Sequence, residues 1–316
     1  MKEKESFMQK MQKRVFGSSK HLAKYPNTIK AKETALVMGF ERKLKIKNSR
    51  KLFVSRLKMF GGKTAFSLLR QTKKATKTLK KNPQEPKNTA SDDFFKKLEE
   101  YAESIDVKVG YAKLTQDLIF KNHAVLFDNA IVLSMEMNKE KIDKAPSLAT
   151  GKMVIRTYDE LGIRANKIAE FVKKEGFAAE ACHPLGGPIG FVPLALSAGM
   201  GWVGRHGLLI TPDYGPRHRL AAVLTNITNI PILNENPHQW VGEYCSTCGR
   251  CIETCPGEAI LETSISNEDG RKTHIIFDKC FQVFAEEYGC SVCVKECMFN
   301  RVGYDKLKAI VEKKQR

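Results

Sequence analysis

The chain has 316 residues, 42% of them apolar, and nine cysteines. That length accommodates two domains with a core each, and no apolar run approaches the ~20 residues a bilayer-spanning helix needs, which excludes one. The formal charge of +18 suggests a nucleic-acid binder until it is divided along the chain: residues 1–90 hold 25 Lys and Arg against 5 Asp and Glu, whereas residues 91–316 hold 28 against 30.

The basic excess therefore belongs to an N-terminal segment, residues 1–90, read as a helical appendage joined through the Asn82-Pro83-Gln84-Glu85-Pro86 linker. Within it, Phe53, Leu57 and Phe60 recur at helical spacing among Arg50, Lys51, Arg56 and Lys58, and Phe66 and Leu69 follow the Gly61-Gly62 break. Such a basic amphipathic segment suits an acidic membrane surface, tRNA phosphates or an acidic protein. It equally suits a helix whose apolar stripe packs on the main domain and whose basic face is solvated.

From Ser91 the pattern alternates between helix and strand. Ser91-Asp92-Asp93 reads as an N-terminal cap for a helix carrying Phe94, Phe95, Leu98, Tyr101 and Ala102. Ala130-Ile131-Val132-Leu133 has strand length, and Ile168, Ala169, Phe171 and Val172 mark the inward stripe of a helix expected to begin near Thr157. This order predicts an α/β or α+β core around a sheet, over residues 91–226.

Two constrained loops follow. His183-Pro184-Leu185-Gly186-Gly187-Pro188 places a histidine in a rigid turn, and Gly199, Gly201, Gly204 and Gly207 punctuate a loop that also carries Trp202, Arg205 and Leu208. Clustered glycines permit tight turns and close backbone approach, so His183 and this loop are the candidate cofactor contacts. Gly199-x-Gly201-x-x-Gly204 matches a dinucleotide fingerprint, but the preceding residues 193–198 read as a helix and not as the strand that site requires.

Eight of the nine cysteines close the chain as Cys245-x2-Cys248-x2-Cys251-x3-Cys255-Pro256, then Cys280, then Cys290-x2-Cys293-x3-Cys297. The first run has the spacing by which ferredoxins hold two [4Fe–4S] clusters, three thiolates on one cubane and the fourth, before a proline, on the other. Cys245, Cys248, Cys251 and Cys297 are thus expected to hold one cluster, and Cys255, Cys280, Cys290 and Cys293 the second. Cys297 departs from the pattern in preceding Met298 and not proline. A zinc ribbon has no need of three cysteines at two-residue spacing followed by Cys-Pro. A disulfide framework does not suit a chain of this size without a secretory signal, so the expected compartment is cytoplasmic, under low oxygen. Cys182, the ninth, reads as a buried free thiol.

The glycine-rich run through Gly215-Pro216-Arg217, the Tyr158…Ala169 helix ahead of Gly176-Phe177-x-Ala179, and the cysteines in this order resemble the corrinoid iron–sulfur reductases, which include reductive dehalogenases and epoxyqueuosine reductase. The resemblance covers roughly residues 130–300. It implies an α+β fold with a nitroreductase-like core, a ferredoxin-like two-cluster domain over residues 227–316, and a cobalamin bound without a histidine ligand to cobalt; the chain indeed lacks an Asp-x-His-x-x-Gly motif. It also implies that Tyr158 protonates the substrate, with Asp159 as its neighbour and Arg205 as the cation that stabilises the phenolate, since a phenol ionising near ~10 is a poor acid unaided. Two departures bear on the substrate. Epoxyqueuosine reductases commonly continue into a tRNA-holding helical repeat, whereas 19 residues follow Cys297 here, and the twin-arginine signal of the respiratory dehalogenases is missing. The expectation is a cytoplasmic reductase, fed by an external ferredoxin- or flavodoxin-type donor, acting on a small organic substrate. The alternatives are an electron-transfer subunit without corrinoid and a tRNA epoxyqueuosine reductase-like enzyme.

Overall fold

A computed structural model describes residues 62–267 and 272–315, together with Leu22, Tyr25, residues 27–32, Val54, Ser55 and residues 58–60. In chain order these form β1 (Ile29–Lys30), α1 (Gly62–Lys77), α2 (Asp92–Ser104), β2 (Lys108–Lys113), β3 (Ala124–Val125), β4 (Asn129–Glu136), α3 (Lys139–Ile142), α4 (Leu148–Lys174), β5 (Ala179–Cys182), α5 (Phe191–Ser197), β6 (Trp202–Val203), β7 (Leu209–Ile210) and β8 (His218–Thr225). The remainder comprises α6 (Trp240–Cys248), α7 (Arg250–Glu253), β9 (Ile260–Ser266), β10 (Lys272–Ile275), α8 (Phe277–Glu286), α9 (Val292–Glu296), α10 (Met298–Arg301) and α11 (Tyr304–Gln315).

The central strands read as unbroken apolar runs because both of their faces are buried. Ile131, Leu133 and Met135 of β4 meet Ala221 and Val223 of β8 on one face, while Ala130 and Val132 meet Leu220, Ala222 and Leu224 on the other. The sheet order is β2-β4-β8-β5, and every neighbouring pair is antiparallel. Antiparallel pairing throughout makes the class α+β and removes the α/β alternative.

Helices α2 and α4 cover the first face through Phe94, Leu98, Leu161, Ile168 and Val172; α5 covers the second through Leu194 and Ala195. Ser91 caps α2 as expected, its Oγ accepting from the Phe94 N–H at 3.3 Å. Helix α4 begins at Leu148, nine residues ahead of the expected start near Thr157, because Ser147 Oγ accepts from the Thr150 N–H at 3.1 Å and supplies an earlier cap.

In the described part of the N-terminal segment the packed alternative holds. Helix α1 packs along α4: Ala75 belongs to the sheet core, Asn166 Nδ2 donates to the Gln71 carbonyl at 3.3 Å, Lys74 pairs with Glu170 at 2.8 Å, and Lys173 Nζ donates to the Thr78 carbonyl at 2.8 Å. The expected linker at 82–86 is held as well. Asn82 Oδ1 accepts from the Ala179 N–H at 3.0 Å, satisfying a donor on the open side of β5, and Lys87 pairs with Phe177. Of the apolar residues singled out there, Phe60 packs beside Met59 and Leu68 while Phe66 points outward at 71% exposure. Arg50, Lys51, Phe53, Arg56 and Leu57 lie outside the described residues.

The cysteine-bearing part is built on a smaller core. Val241, Phe299, Tyr304 and Leu307 enclose Ile210, with Trp202 and Trp240 against them. Tyr304 Oη accepts from Trp240 Nε1 at 2.9 Å. Three further contacts fasten this part to the sheet: Arg217 Nε donates to Asn300 Oδ1 at 3.0 Å, Asn300 Nδ2 to Asp143 Oδ1 at 3.2 Å, and Lys295 Nζ to the Ala145 carbonyl at 3.1 Å.

Candidate functional site

The eight terminal cysteines fall into two sets of four. Cys245 and Cys248 lie on α6, Cys251 on α7 and Cys297 at the α9–α10 junction, yet all four line one cavity with Arg205 and His206. In the other set, Cys255 follows α7, Cys280 lies on α8 and Cys290 and Cys293 flank the start of α9. Burial first, then charge on Cys290, Cys280, Cys251 or Cys255, raises the thiol of Cys293, so the second group also lies near Cys251 of the first. Cys280, separated from Cys290 by nine residues of chain, lies on α8 within electrostatic reach of Cys255 and Cys290. Residues 288–291 make the return turn, with Tyr288, Cys290 and Ser291 all at positive φ.

Every described cysteine carries a free thiol. Burial first, then neighbouring thiolates, pushes Cys245 up to about 12 and Cys251 and Cys280 up to about 11, and Cys290, Cys293 and Cys297 also move upward. Crowded thiols that resist ionisation alone are a donor set that iron would discharge, because a bound metal reverses the local electrostatics. Among the described residues no three His, Cys, Asp or Glu converge on a position for a single metal ion. Four thiols around a cavity, and not on a point, suit a cubane better than a tetrahedral zinc with ~2.3 Å Zn–S bonds.

Tyr158 stands where α4 crosses the start of β8, half-buried against two apolar clusters, one built on Met137, Met153 and Val154 that Leu208 and Cys293 also adjoin, the other on Met59, Leu68 and Ile155 that Leu185 and Tyr288 also adjoin. Its partner is Arg219, which the sequence reading missed. Arg219 Nη1 donates to Tyr158 Oη at 2.8 Å, and its Cζ lies 3.9 Å from the centre of the tyrosine ring. A charged residue within His218-Arg219-Leu220, opening a strand buried on both faces, was the available signal. Arg219 Nε and Asp159 Oδ1 are buried without hydrogen-bond partners.

Arg205, expected to serve Tyr158, is instead fastened to the cysteine part: Nη2 donates to the Ser246 carbonyl at 2.8 Å and Nη1 to that of Glu262. The cause is local, since Arg205 sits at the tip of the β6–β7 hairpin, which the Ile210 core draws against α6.

The expected cofactor contacts are also spent within the chain. His183 is 3% exposed, its ring presses on Gly162 of α4, and burial lowers it to about 4, so it is a neutral structural histidine. A Cβ on Gly201 would strike the Ile210 carbonyl, one on Gly199 (φ +64°) would meet Leu233 at 2.7 Å, and one on Gly204 would meet Ile210 at 2.7 Å. Gly207 closes on His274, and Trp202 packs on Gly242. The glycines therefore serve close packing of the loop on its own protein. Of the seven residues, Leu208 packs on the apolar cluster that Tyr158 also adjoins. The fingerprint of Gly199, Gly201 and Gly204 follows helix α5, with no strand before it, as the sequence indicated. Cys182 is a buried free thiol in the core of the second sheet face.

No family model matches the chain. Among curated proteins it is 34% identical over 189 residues to the tetrachloroethene reductive dehalogenase of Desulfitobacterium hafniense, covering 55% of this chain and 33% of that one. The enzyme of the same name from Sulfurospirillum multivorans is 31% identical over 185 residues, 55% of this chain and 36% of that one. The epoxyqueuosine reductase of a Synechocystis species is 32% identical over 124 residues, 36% of this chain and 41% of that one. The chain thus spans about a third of the length of the dehalogenases it matches. A solved reductive dehalogenase, described with a B12-dependent mechanism, superposes with a TM-score of 0.58 at 20% identity over 74% of this chain and 37% of that one. A catabolic reductive dehalogenase solved with 3-bromo-4-hydroxybenzoic acid gives 0.57 at 17% identity over 93% and 47%. At that identity the likeness speaks for the fold, while the sequence matches speak for descent. Over the matched stretch, this chain is similar in sequence to reductive dehalogenases and epoxyqueuosine reductases, and its fold is like that of the solved dehalogenases.

Proposed function

We propose that this chain is an iron–sulfur reductase in which electrons from an external low-potential carrier pass through two [4Fe–4S] clusters to an organic substrate at Tyr158. The observation that carries this reading is the Tyr158–Arg219 pair, whose tyrosine packs on the same small apolar cluster as Cys293, a ligand of the second expected cluster. That shared cluster supports a proton donor and an electron relay serving one site, as a reductive bond cleavage requires. Tyr158 Oη accepts from the permanent cation of Arg219 at 2.8 Å, which fixes the oxygen that would hand over the proton.

Cobalamin dependence is part of the proposal. It rests on the family's resemblance and on two buried polar atoms left unpartnered beside the pair, Arg219 Nε and Asp159 Oδ1. Tyr158, Arg219 and Leu208 are the residues that would face the group. Bound there, a corrinoid would supply a strongly reducing cobalt centre for breaking a carbon–halogen or carbon–oxygen bond. The same proposal assigns the nitroreductase-like core to residues 91–226, the ferredoxin-like domain to 227–316, and the whole to the cytoplasm. No helix among the described residues is long and apolar enough to cross a membrane.

The test is anaerobic reconstitution with iron and sulfide in the presence of cobalamin, followed by desalting and metal analysis. About eight irons and one retained cobalt are expected. Eight irons without cobalt would turn the reading to an electron-transfer subunit. Replacing Tyr158 with Phe is then expected to lower turnover on a responsive halogenated substrate by ~10²-fold or more, with both metals retained; unchanged turnover removes Tyr158 from the chemistry.

A further inference from the structure

The two cysteine sets have unlike surroundings. Around the first, the Arg205 guanidinium lines the cavity alongside Cys245, Cys248, Cys251 and Cys297. It is held by the carbonyls of Ser246, within the Cys245–Cys248 turn, and of Glu262 on β9. The hairpin tip that presents it is itself fixed, with the Gly204 N–H donating to the Leu208 carbonyl at 3.0 Å and the Gly207 N–H to the Gly204 carbonyl at 2.9 Å. Arg250 also lines the cavity but is engaged by Glu253 at 3.8 Å and Glu296 at 3.4 Å, and His206 is buried and neutral. The Arg205 charge is the one left facing the thiols, since both of its partners are neutral carbonyls.

In the second set, Cys255 Sγ accepts the Ala259 N–H at 3.4 Å. Net charge nearby and hydrogen bonds to sulfur are what set the potential of a cluster of given type. A fixed cation stabilises the more negative, reduced state.

We propose that Arg205 is a tuning residue that holds the cluster of Cys245, Cys248, Cys251 and Cys297 at a higher reduction potential than the cluster beside Tyr158. The first electron taken from a reductant then rests on the Arg205 side, and the cluster of Cys255, Cys280, Cys290 and Cys293 fills second. This inference rests on the iron–sulfur reading of the eight cysteines.

The experiment is a redox titration of the anaerobic, reconstituted full chain with dithionite as reductant, followed by EPR, for the wild type, Arg205→Gln and Arg205→Lys. The wild type is expected to hold about eight irons and to reduce in two waves. Arg205→Gln is expected to move the upper midpoint to more negative potential and leave the lower one in place, and Arg205→Lys, which keeps the charge, to restore most of the shift. Two unmoved midpoints, or two that move together, overturn the proposal. Loss of iron in both variants overturns it too, making Arg205 a brace of the fold. Fewer than eight irons in the wild type would instead sink the two-cluster reading itself, so the two failures are distinguishable.

Discussion

The sheet core and the cysteine-bearing part are held by different means. In the core, two apolar layers close over both faces of one sheet, and residues such as Ile131, Leu133, Ala222 and Val223 are wholly buried. In the cysteine-bearing part, the apolar centre is a handful of residues around Phe299 and Tyr304, most side chains from Tyr244 to Lys295 are half-buried or exposed, and eight thiols take the place of a larger core. The comparison teaches that the first region can fold on burial alone, at ~25 cal/mol per Å² of apolar surface, whereas on the proposed iron–sulfur reading the second would depend on bonds to a metal that its sequence supplies only half of.

Removing iron breaks this comparison most directly. Chelation under reducing conditions is expected to open residues 240–300 while the sheet stays folded, read by hydrogen exchange as lost protection in α6–α9 and retained protection in β4 and β8. Uniform loss across both regions would show that the core needs the clusters as well. In the same measurement Cys293→Ser, which removes one ligand of the set beside Tyr158, is expected to lower the iron content by about half.

How far each region was legible in the sequence follows from the same contrast. Ligand spacing is a covalent-scale constraint, so the grouping of Cys245, Cys248, Cys251 and Cys297, which line one cavity, could be read from spacing alone. The strand at Ala130–Leu133 and the Ser91 cap were equally plain, because burial and capping act within a few residues. What failed was long-range. Nothing near Arg205 in the chain says that its hairpin will be drawn onto α6 and not onto α4, and the glycines at 199–207 report close packing without reporting against what. Arg219 was overlooked because it opens an otherwise apolar strand, and its meaning appears only when α4 lays Tyr158 across it. The charge of residues 1–90 hid α1, whose apolar side carries few residues, Leu68 and Ala75 among them.

Acidification sharpens the comparison from the side of the core. Burial lowers His183 and His218 to about 4, and each has one ring nitrogen without a partner. Unfolding returns them to their ordinary value near 6.5, so between pH 6.5 and about 4 the unfolded state binds protons that the folded state refuses. Stability is therefore full above pH 6.5 and falls as pH drops, by at most ~3 kcal/mol for each histidine. Buried His206 adds to the fall, while Glu180, raised to about 7 by burial, opposes it because its neutral form is the one the fold prefers. Urea unfolding at pH 7.0 and 5.5, followed by far-UV circular dichroism, is expected to show net loss at the lower pH and a steeper loss in Glu180→Gln. A flat profile would mean that these histidines meet water in the folded state.

The smallest effect concerns α1, which joins the core through one face and leaves the other unmatched. Lys63, Phe66, Arg70, Lys73, Lys77 and Lys80 follow at alternating three- and four-residue steps and are all exposed, and α1 itself contains no acidic residue. None of these five cations makes an ion pair among the described residues, whereas Lys74, on the flank, is paired with Glu170. An unpaired stripe adds little to folding, since even a formed surface pair contributes only ~0–1 kcal/mol. On the proposed function it would act at a distance, where steering of an acidic carrier would speed encounter and weaken with salt. Helix α1 starts three residues after Met59, whose side chain lies against the Gly289 turn beside Cys290, so a carrier seated on the stripe would approach the second cysteine set. Replacing Arg70, Lys73 and Lys77 with Gln is expected to leave iron content and urea midpoint unchanged, while lowering the rate of reduction by an acidic ferredoxin several-fold at low salt and hardly at all in ~0.5 M NaCl. Equal rates for variant and wild type at low salt would leave the stripe as a solvated face, and a lowered urea midpoint would show that the core uses both sides of α1.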